Sequence, residues 1–245
     1  MARLPRLFAP SLAQLITAQF TQATTNVLTI IPAPAFALLA GWLGQSAHQH
    51  QVSIQGWCIA SKGLYLLATP SDSLGVSRMI QDLGRRLAAH LKCGAVFSGR
   101  YRSTIPQPEQ WVLPCLIWLE RSATREGLVD EPTQWFWSSA QAHTEGSGLR
   151  ASWLQPHLDY WLCGNTPFAR QATYRQQLSE GNDAVVERKI EAALRGQWGL
   201  GDQSFLVELS VFANRRVQPG LRGRPKKGVT KSPTARRTPD DPEHN

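Results

Sequence analysis

Two short apolar runs joined by a tight turn constrain the fold of this chain more than any other feature. The sequence WCIASKGLYLLATP, residues 57–70, carries aromatic and branched side chains in the runs WCI and LYLLAT. The Ser61-Lys62-Gly63 link between the runs has the composition of a hairpin turn. Because both runs are apolar along most of their length, we expect the hairpin to lie in the middle of a sheet.

The order of patterns along the chain predicts a mixed α+β fold. In chain order, the patterns are a strand at 12–22, a helix at 35–49, the hairpin strands at 52–60 and 63–69, a helix at 74–92, a partly β-prone segment at 95–105 and a helix from Pro108. The helix at 74–92 is amphipathic, since its apolar residues recur every three or four positions. Pro114 should kink or split the last helix. A β-α-β-β-α-β order predicts a ferredoxin-like antiparallel sheet with helices on one face.

The apolar stretch 27–44 raises the question of a membrane span. It contains Pro32 and Pro34, which leave only about ten continuous helix-forming residues, whereas a spanning helix needs about twenty. We therefore expect a strand end followed by a buried helix, and no membrane partner.

Charge and composition divide the chain into three predicted regions. Residues 1–145 hold the α+β patterns, and residues 150–213 contain three further helical stretches. The segment 214–245 is poor in apolar residues and rich in Pro, Gly and charge, which predicts a disordered tail. Nine of the 26 Lys and Arg residues lie between Arg215 and Arg237 with no acid among them, so the net charge of +8 belongs mainly to the tail.

The cysteines argue against a zinc site or a disulfide framework. They are far apart and form no C-x-x-C pair: Cys58, Cys93, Cys115 and Cys163. This usage suits a reducing compartment, and we expect a cytoplasmic protein.

Eight segments together resemble the REP-associated tyrosine transposases of bacteria and their HUH-type insertion-sequence relatives. They occur in that family's order between Met1 and Lys227: MARLPRL, LLATP, SRMIQDLGRRLAAHL, FSGRYRS, IWLERSATREGLV, QWFWSSAQAH, ARQATYRQQL and GRPKK. The resemblance implies an enzyme that cuts single-stranded DNA beside a hairpin. In that family, a His-bulky-His pair on a central strand holds Mg²⁺ or Mn²⁺, and a tyrosine on a nearby helix becomes joined to the 5′ end of the DNA.

The family's catalytic groups are replaced in this chain. By the alignment of the flanking motifs, Gly63 and Tyr65 stand where the two metal-binding histidines would be, and Trp118 stands where the nucleophilic tyrosine would be. Glycine has no ligand atom, a phenol titrates near ~10, and an indole has no hydroxyl. We therefore expect a DNA-binding protein that is catalytically defective, without catalytic residues, metal site or cofactor.

Two alternatives stay open. The chain could be an active transposase or nicking enzyme that uses unconventional residues. It could also be a protein that binds no DNA and docks through its apolar segment 29–43.

The resemblance places Arg100, Tyr101 and Arg102 near bound DNA. Two arginines beside an aromatic residue can hold phosphate and stack on a base. For Tyr101, a DNA-facing role and a packing role are about equally supported. For Trp118, a core position is favoured over a platform for a base.

The tail contains the most specific DNA-binding motif of the sequence. Arg222 and Arg224 in RGRP resemble an AT-hook core, whose arginines enter the minor groove of A·T-rich duplex DNA. Lys226 and Lys227 add phosphate attraction, although an unbound basic tail is the simpler alternative. The expected partners are hairpin or single-stranded DNA near the sheet and duplex DNA at the tail, in the bacterial nucleoid. A homodimer stays open, because the family contains monomers and dimers.

Overall fold

The fold is mixed α+β, with helices packed around a sheet. The structure, a computed structural model, describes residues 5–30, 32–146, 152–213 and 215–220. The strands in these ranges are β1 (Gln14–Gln19), β2 (Val52–Ala60), β3 (Gly63–Pro70), β4 (Arg102–Pro106) and β5 (Gly199–Leu200). The helices of the first half are α1 (Gln22–Ile30), α2 (Pro32–Gln49), α3 (Gly75–Leu91), α4 (Val112–Glu120) and α5 (Ser122–Arg125). A short 3-10 helix (Pro132–Gln134) precedes α6 (Ala140–Glu145), α7 (Leu158–Trp161), α8 (Pro167–Glu180), α9 (Ala184–Gly196) and α10 (Gln203–Phe212).

The predicted hairpin is confirmed, but only its second strand is internal. The strand order is β2-β3-β1-β4-β5, in which the first four strands are antiparallel and β5 runs parallel to β4. Strand β2 is therefore the outermost strand on its side. Loop segments cover its outer edge, since Ile59 N donates to Trp137 O at 2.8 Å and Gln155 N donates to Ile54 O at 2.8 Å. This cover explains why an outer strand is as apolar as an internal one.

Helices α2 and α3 cover the first face of the sheet. Leu39 of α2 and Leu83 of α3 are fully buried against Leu64 and Leu66 of β3. The predicted amphipathic helix is confirmed at 75–91, and it turns its apolar stripe to the sheet as its period requires.

The second face of the sheet is covered as well, which corrects the expectation of helices on one face. Helix α4 packs on β2 and β3, and α9 packs on β1 and β4. Leu15 and Leu67 of the sheet are fully buried against Leu116 and Leu119 of α4. The helices predicted within 150–213 therefore contribute to the same core as the sheet. The division into domains at 145–150 remains a prediction.

Helix α4 differs from the predicted helix at Pro108. It begins at Val112, so Pro114 falls in its first turn. The backbone N–H groups of a first turn have no partner inside the helix, and proline is accepted there without a kink.

The described residues of the apolar stretch 27–44 all belong to helices α1 and α2, so the expected strand end is wrong. Phe36, Leu39 and Leu43 of α2 are buried at helical spacing. None of the helices that the structure describes has the length and hydrophobicity needed to cross a membrane.

The start of the predicted disordered tail is packed. Val217 is 3% exposed in a small cluster with Ile105 and Phe205, and its carbonyl accepts a hydrogen bond from Gly199 N at 2.8 Å. The disorder predicted from residue 214 therefore does not apply to 215–220.

A chain ending at residue 146 tests the role of the C-terminal helices. Its loss of α8 and α9 uncovers the apolar second face, so we expect a lowered melting temperature and binding of a hydrophobic dye such as ANS. Circular dichroism melts of the two chains check this. Equal melting temperatures would instead support an independent domain at 1–145.

Candidate nucleic-acid interface

Gly63 begins β3 at a point where β1 approaches too closely for a side chain. It pairs with Gln19 of β1 and with Ala60 of β2. A Cβ atom at this position would lie 2.5 Å from the carbonyl oxygen of Ala18, a distance that side chains do not tolerate. The backbone of β1 thus occupies the space that a ligand side chain at Gly63 would need.

Tyr65 lies two residues further on the same face of β3. Its hydroxyl donates a hydrogen bond to Glu126 Oε1 at 2.9 Å, and its ring meets the Trp118 ring edge-on with the centroids 5.9 Å apart. Burial raises the pKa of the Tyr65 phenol strongly, and the nearby Glu126 carboxylate raises it further. At neutral pH this phenol is therefore protonated and donates a hydrogen bond to Glu126, which makes it a poor ligand for a metal ion.

Glu126 fastens the hairpin turn to the end of α5. Its Oε2 accepts hydrogen bonds from Ser61 Oγ at 2.5 Å and from the backbone N–H of Lys62 at 3.0 Å. Together with Tyr65, three donors share one carboxylate. Sequence reasoning assigned no role to Glu126, although its place in the motif ERSATREG was a signal that could have drawn attention to it.

Trp118 is a core residue in this structure. It is 6% exposed, and the guanidinium of Arg125 lies 4.3 Å from the centre of its ring. The same guanidinium donates to Trp118 O at 2.5 Å. With Tyr65 at its edge and Arg125 over its ring, the indole is enclosed by protein, which favours the core interpretation over a base platform.

The segment Arg100-Tyr101-Arg102 splits into two exposed arginines and a buried tyrosine. Tyr101 is 5% exposed, its hydroxyl lies 3.2 Å from Ser77 Oγ, and the Arg6 guanidinium lies 3.6 Å from the centre of its ring. This geometry favours the packing role of Tyr101 over stacking on a base. Arg100 and Arg102 remain available to solvent.

Two adjoining cavities form a groove at one end of β1 and β4, which we call the strand-end groove. Their volumes are about 380 and 550 Å³, and they share Thr17, Gln19 and Arg102. The basic residues that line them are Lys62, Arg100, Arg102, Arg125 and Arg195. The acidic residues are Glu126 and Glu191, and Glu126 is already occupied by the hairpin turn. The groove thus has an excess of positive charge suited to phosphate.

Three of the motif segments meet in a buried network around Glu120. This carboxylate is fully buried at the end of α4. Its Oε1 accepts from Ser139 Oγ at 2.5 Å and lies 2.7 Å from His143 Nδ1, and its Oε2 accepts from Tyr174 OH at 2.7 Å. Ser139 Oγ in turn accepts from the backbone N–H of Trp57 in β2 at 2.9 Å. The network joins the sheet to α4, α6 and α8, so these motif residues hold the fold together.

The structure does not test the sequence predictions for the basic tail and for a homodimer. Arg222, Arg224, Lys226 and Lys227 fall outside the described residues, and the structure, a single chain, does not test the homodimer. No group of three or more His, Cys, Asp or Glu side chains arranged to hold a metal ion occurs in the described part of the chain.

Comparison with known proteins gives a likeness of fold. No protein-family model matches the chain, and no curated protein sequence matches it. A solved structure of a REP-associated tyrosine transposase bound to a REP hairpin matches with a TM-score of 0.51 and 12% sequence identity. The match covers 61% of this chain and 88% of that one. The chain is therefore distantly related in structure to this transposase.

Changing Glu126→Gln tests whether this carboxylate holds the turn. Glutamine cannot accept from all three donors, so we expect a loss of roughly 1–3 kcal/mol in the free energy of unfolding, measured in urea. The matched control is Glu208→Gln, at an exposed position on α10, which should stay within about 0.5 kcal/mol of the native chain. Equal unfolding curves for the two variants would contradict the assignment.

Changing Tyr174→Phe tests the network around Glu120. It removes one donor from a buried carboxylate without altering the ring packing, and we expect a cost of roughly 1–3 kcal/mol in urea unfolding. The double variant with Glu120→Gln should cost less than the sum of the two single changes, because Tyr174→Phe removes and Glu120→Gln weakens the same hydrogen bond. Additive costs would show that the contact contributes little.

Proposed function

We propose that this chain is a DNA-binding protein with a transposase-like fold that binds hairpin or single-stranded DNA and does not cleave it. The likeness to a transposase bound to a DNA hairpin supports the fold part of this proposal. The strand order β2-β3-β1-β4, with α2 and α3 on one face, supports the ferredoxin-like arrangement that the sequence predicted.

The observation that carries the proposal is the engagement of the Tyr65 hydroxyl by Glu126. Tyr65 and Trp118 are the aromatic residues at the positions that the resemblance assigns to catalysis. Tyr65 donates a hydrogen bond from its hydroxyl to the Glu126 carboxylate, and Trp118 has no hydroxyl. At the third position, Gly63 is closed in by β1. Covalent attack on DNA needs an accessible, activated nucleophile. The Tyr65 phenol is half-buried, its pKa is raised by burial, and its partner Glu126 also holds the hairpin turn, which supports binding without attack.

The strand-end groove has the exposed positive charge that DNA binding requires. Its exposed arginines can neutralise phosphates and release counterions, a contribution to affinity that is independent of base sequence. Arg102 is central to this role, because it lines both cavities of the groove. Binding of this kind requires no metal ion.

Changing Arg102→Gln tests the groove. With a labelled DNA hairpin that carries a single-stranded overhang, we expect weaker binding in fluorescence anisotropy. The slope of log affinity against log salt should become shallower by about 0.7 to 0.9, as the loss of one phosphate contact requires. The control Arg188→Gln removes an exposed arginine of α9 that does not line the groove and should bind as the native chain does. No binding by the native chain, even at low salt, would contradict the proposed function and favour a protein that binds no DNA.

Duplex binding by the tail is a separate part of the proposal, and the AT-hook-like RGRP motif with Lys226 and Lys227 supports it. Deletion of residues 221–245 keeps the packed Val217 in place. We expect this deletion to remove most affinity for A·T-rich duplex while affinity for the hairpin overhang is largely kept. An unchanged duplex affinity would contradict the role of the tail.

A further inference from the structure

A cavity of about 580 Å³ lies beside the strand-end groove, between α3 and residues 94–101. One stripe of α3 forms its first wall: Ser77, Ile80, Gln81, Gly84, Arg85 and Ala88. This spacing places the six residues on one helix face. Gly84 and Ala88 are the two smallest residues that line the cavity on this side. We call it the α3 cavity.

The floor of the α3 cavity is apolar. Ile80 and Val96 are buried, and Phe97 stacks on Phe20 with the ring centroids 5.6 Å apart. The Phe97 ring also lies close to α3 at Gly84, since a Cβ atom added there would be 3.4 Å from it. The floor therefore offers an apolar surface to a planar group.

The rim of the α3 cavity carries three arginines, and no acidic residue lines it within the described ranges. The side chain of Arg85 is 77% exposed and stands 4.0 Å from Asp82, which makes its closer contacts with Arg86 and Ser46. Arg100 is exposed and also lines the strand-end groove. Positive charge at this rim is thus largely uncompensated.

Arg6 is the most constrained of the three arginines. Its guanidinium lies against the Tyr101 ring, and its buried Nε has no hydrogen-bond partner among the described residues. Burial lowers its pKa, and the neighbouring charge of Arg100 acts in the same direction. An anion at the rim would relieve both the desolvation and the repulsion.

We propose that the α3 cavity binds one unpaired nucleotide, with its base on the apolar floor and its phosphate at the arginine rim. The volume lies within the range of small-ligand pockets, which are about 300–1,000 Å³. An apolar floor next to several arginines matches a base attached to a phosphate, whereas a simple anion would leave the apolar floor unused. The source of the nucleotide rests on the proposed function: because Arg100 is shared with the strand-end groove, a DNA strand in the groove can place an extruded base in the α3 cavity.

The cavity can be filled without altering its charge. Ala88→Leu enlarges an apolar side chain on the α3 wall of the cavity, and Ala89→Leu makes the same change at an exposed neighbour outside the cavity. Two labelled hairpins are compared, one with a four-nucleotide overhang and one with the same overhang built from abasic residues. We expect the native chain and Ala89→Leu to prefer the overhang with bases about tenfold, and Ala88→Leu to lose this preference.

A titration with free deoxyadenosine monophosphate distinguishes a free nucleotide from an unpaired nucleotide of a DNA strand as the ligand. Titrated into the native chain, the free nucleotide should shift the methyl NMR signals of Ile80 and Val96, and Ala88→Leu should abolish the shift. Arg85→Gln should weaken it, while Arg78→Gln, the same charge change on α3 outside the cavity, should not. A methyl shift without base preference identifies a free nucleotide as the ligand, and base preference without a shift identifies the strand.

Absence of both effects overturns the proposal for the cavity. That result is distinct from a failure of the proposed function, in which the native chain binds neither hairpin at low salt. In that case the titration with the free nucleotide still decides the question for the cavity.

Discussion

A buried carboxylate joins the sheet to the helices α4, α6 and α8. Glu120 is fully buried, and its hydrogen bonds reach residues of α6 and α8, with Ser139 extending the chain of contacts to the backbone of β2. A buried polar group without hydrogen-bond partners is costly, so each of these donors contributes to the stability of the fold. Because α4 carries both Glu120 and Trp118, the position of the candidate site depends on this network.

A second carboxylate gathers hydrogen-bond donors at the candidate site. Glu126 takes up the hydroxyl of Tyr65 and both donors of the hairpin turn, so a carboxylate stabilises the end of the sheet. The aromatic pair Tyr65 and Trp118 fills the adjacent space. What remains open to solvent is a groove lined by arginines. The site therefore combines a packed aromatic floor with a basic wall.

The sequence was most informative where one local pattern decides the structure. The period of α3 and the turn of the β2–β3 hairpin required no knowledge of distant contacts. The continuous apolar run at 64–68 also signalled a strand buried on both faces, yet its consequence, helices on both sides of the sheet, was missed. Burial of Tyr101 and the meeting of Glu120 with Tyr174 depend on segments far apart in the chain. A single sequence contains no pattern that brings such residues together.

The central claim is that the chain binds DNA and forms no covalent bond with it. The most direct measurement incubates the native chain with a labelled single-stranded hairpin and Mg²⁺ or Mn²⁺, and divides each sample between a native and a denaturing gel. The account predicts a shifted complex on the native gel, with intact, protein-free DNA on the denaturing gel. A protein–DNA adduct or a specific nick would contradict it and identify an active enzyme that uses unconventional residues.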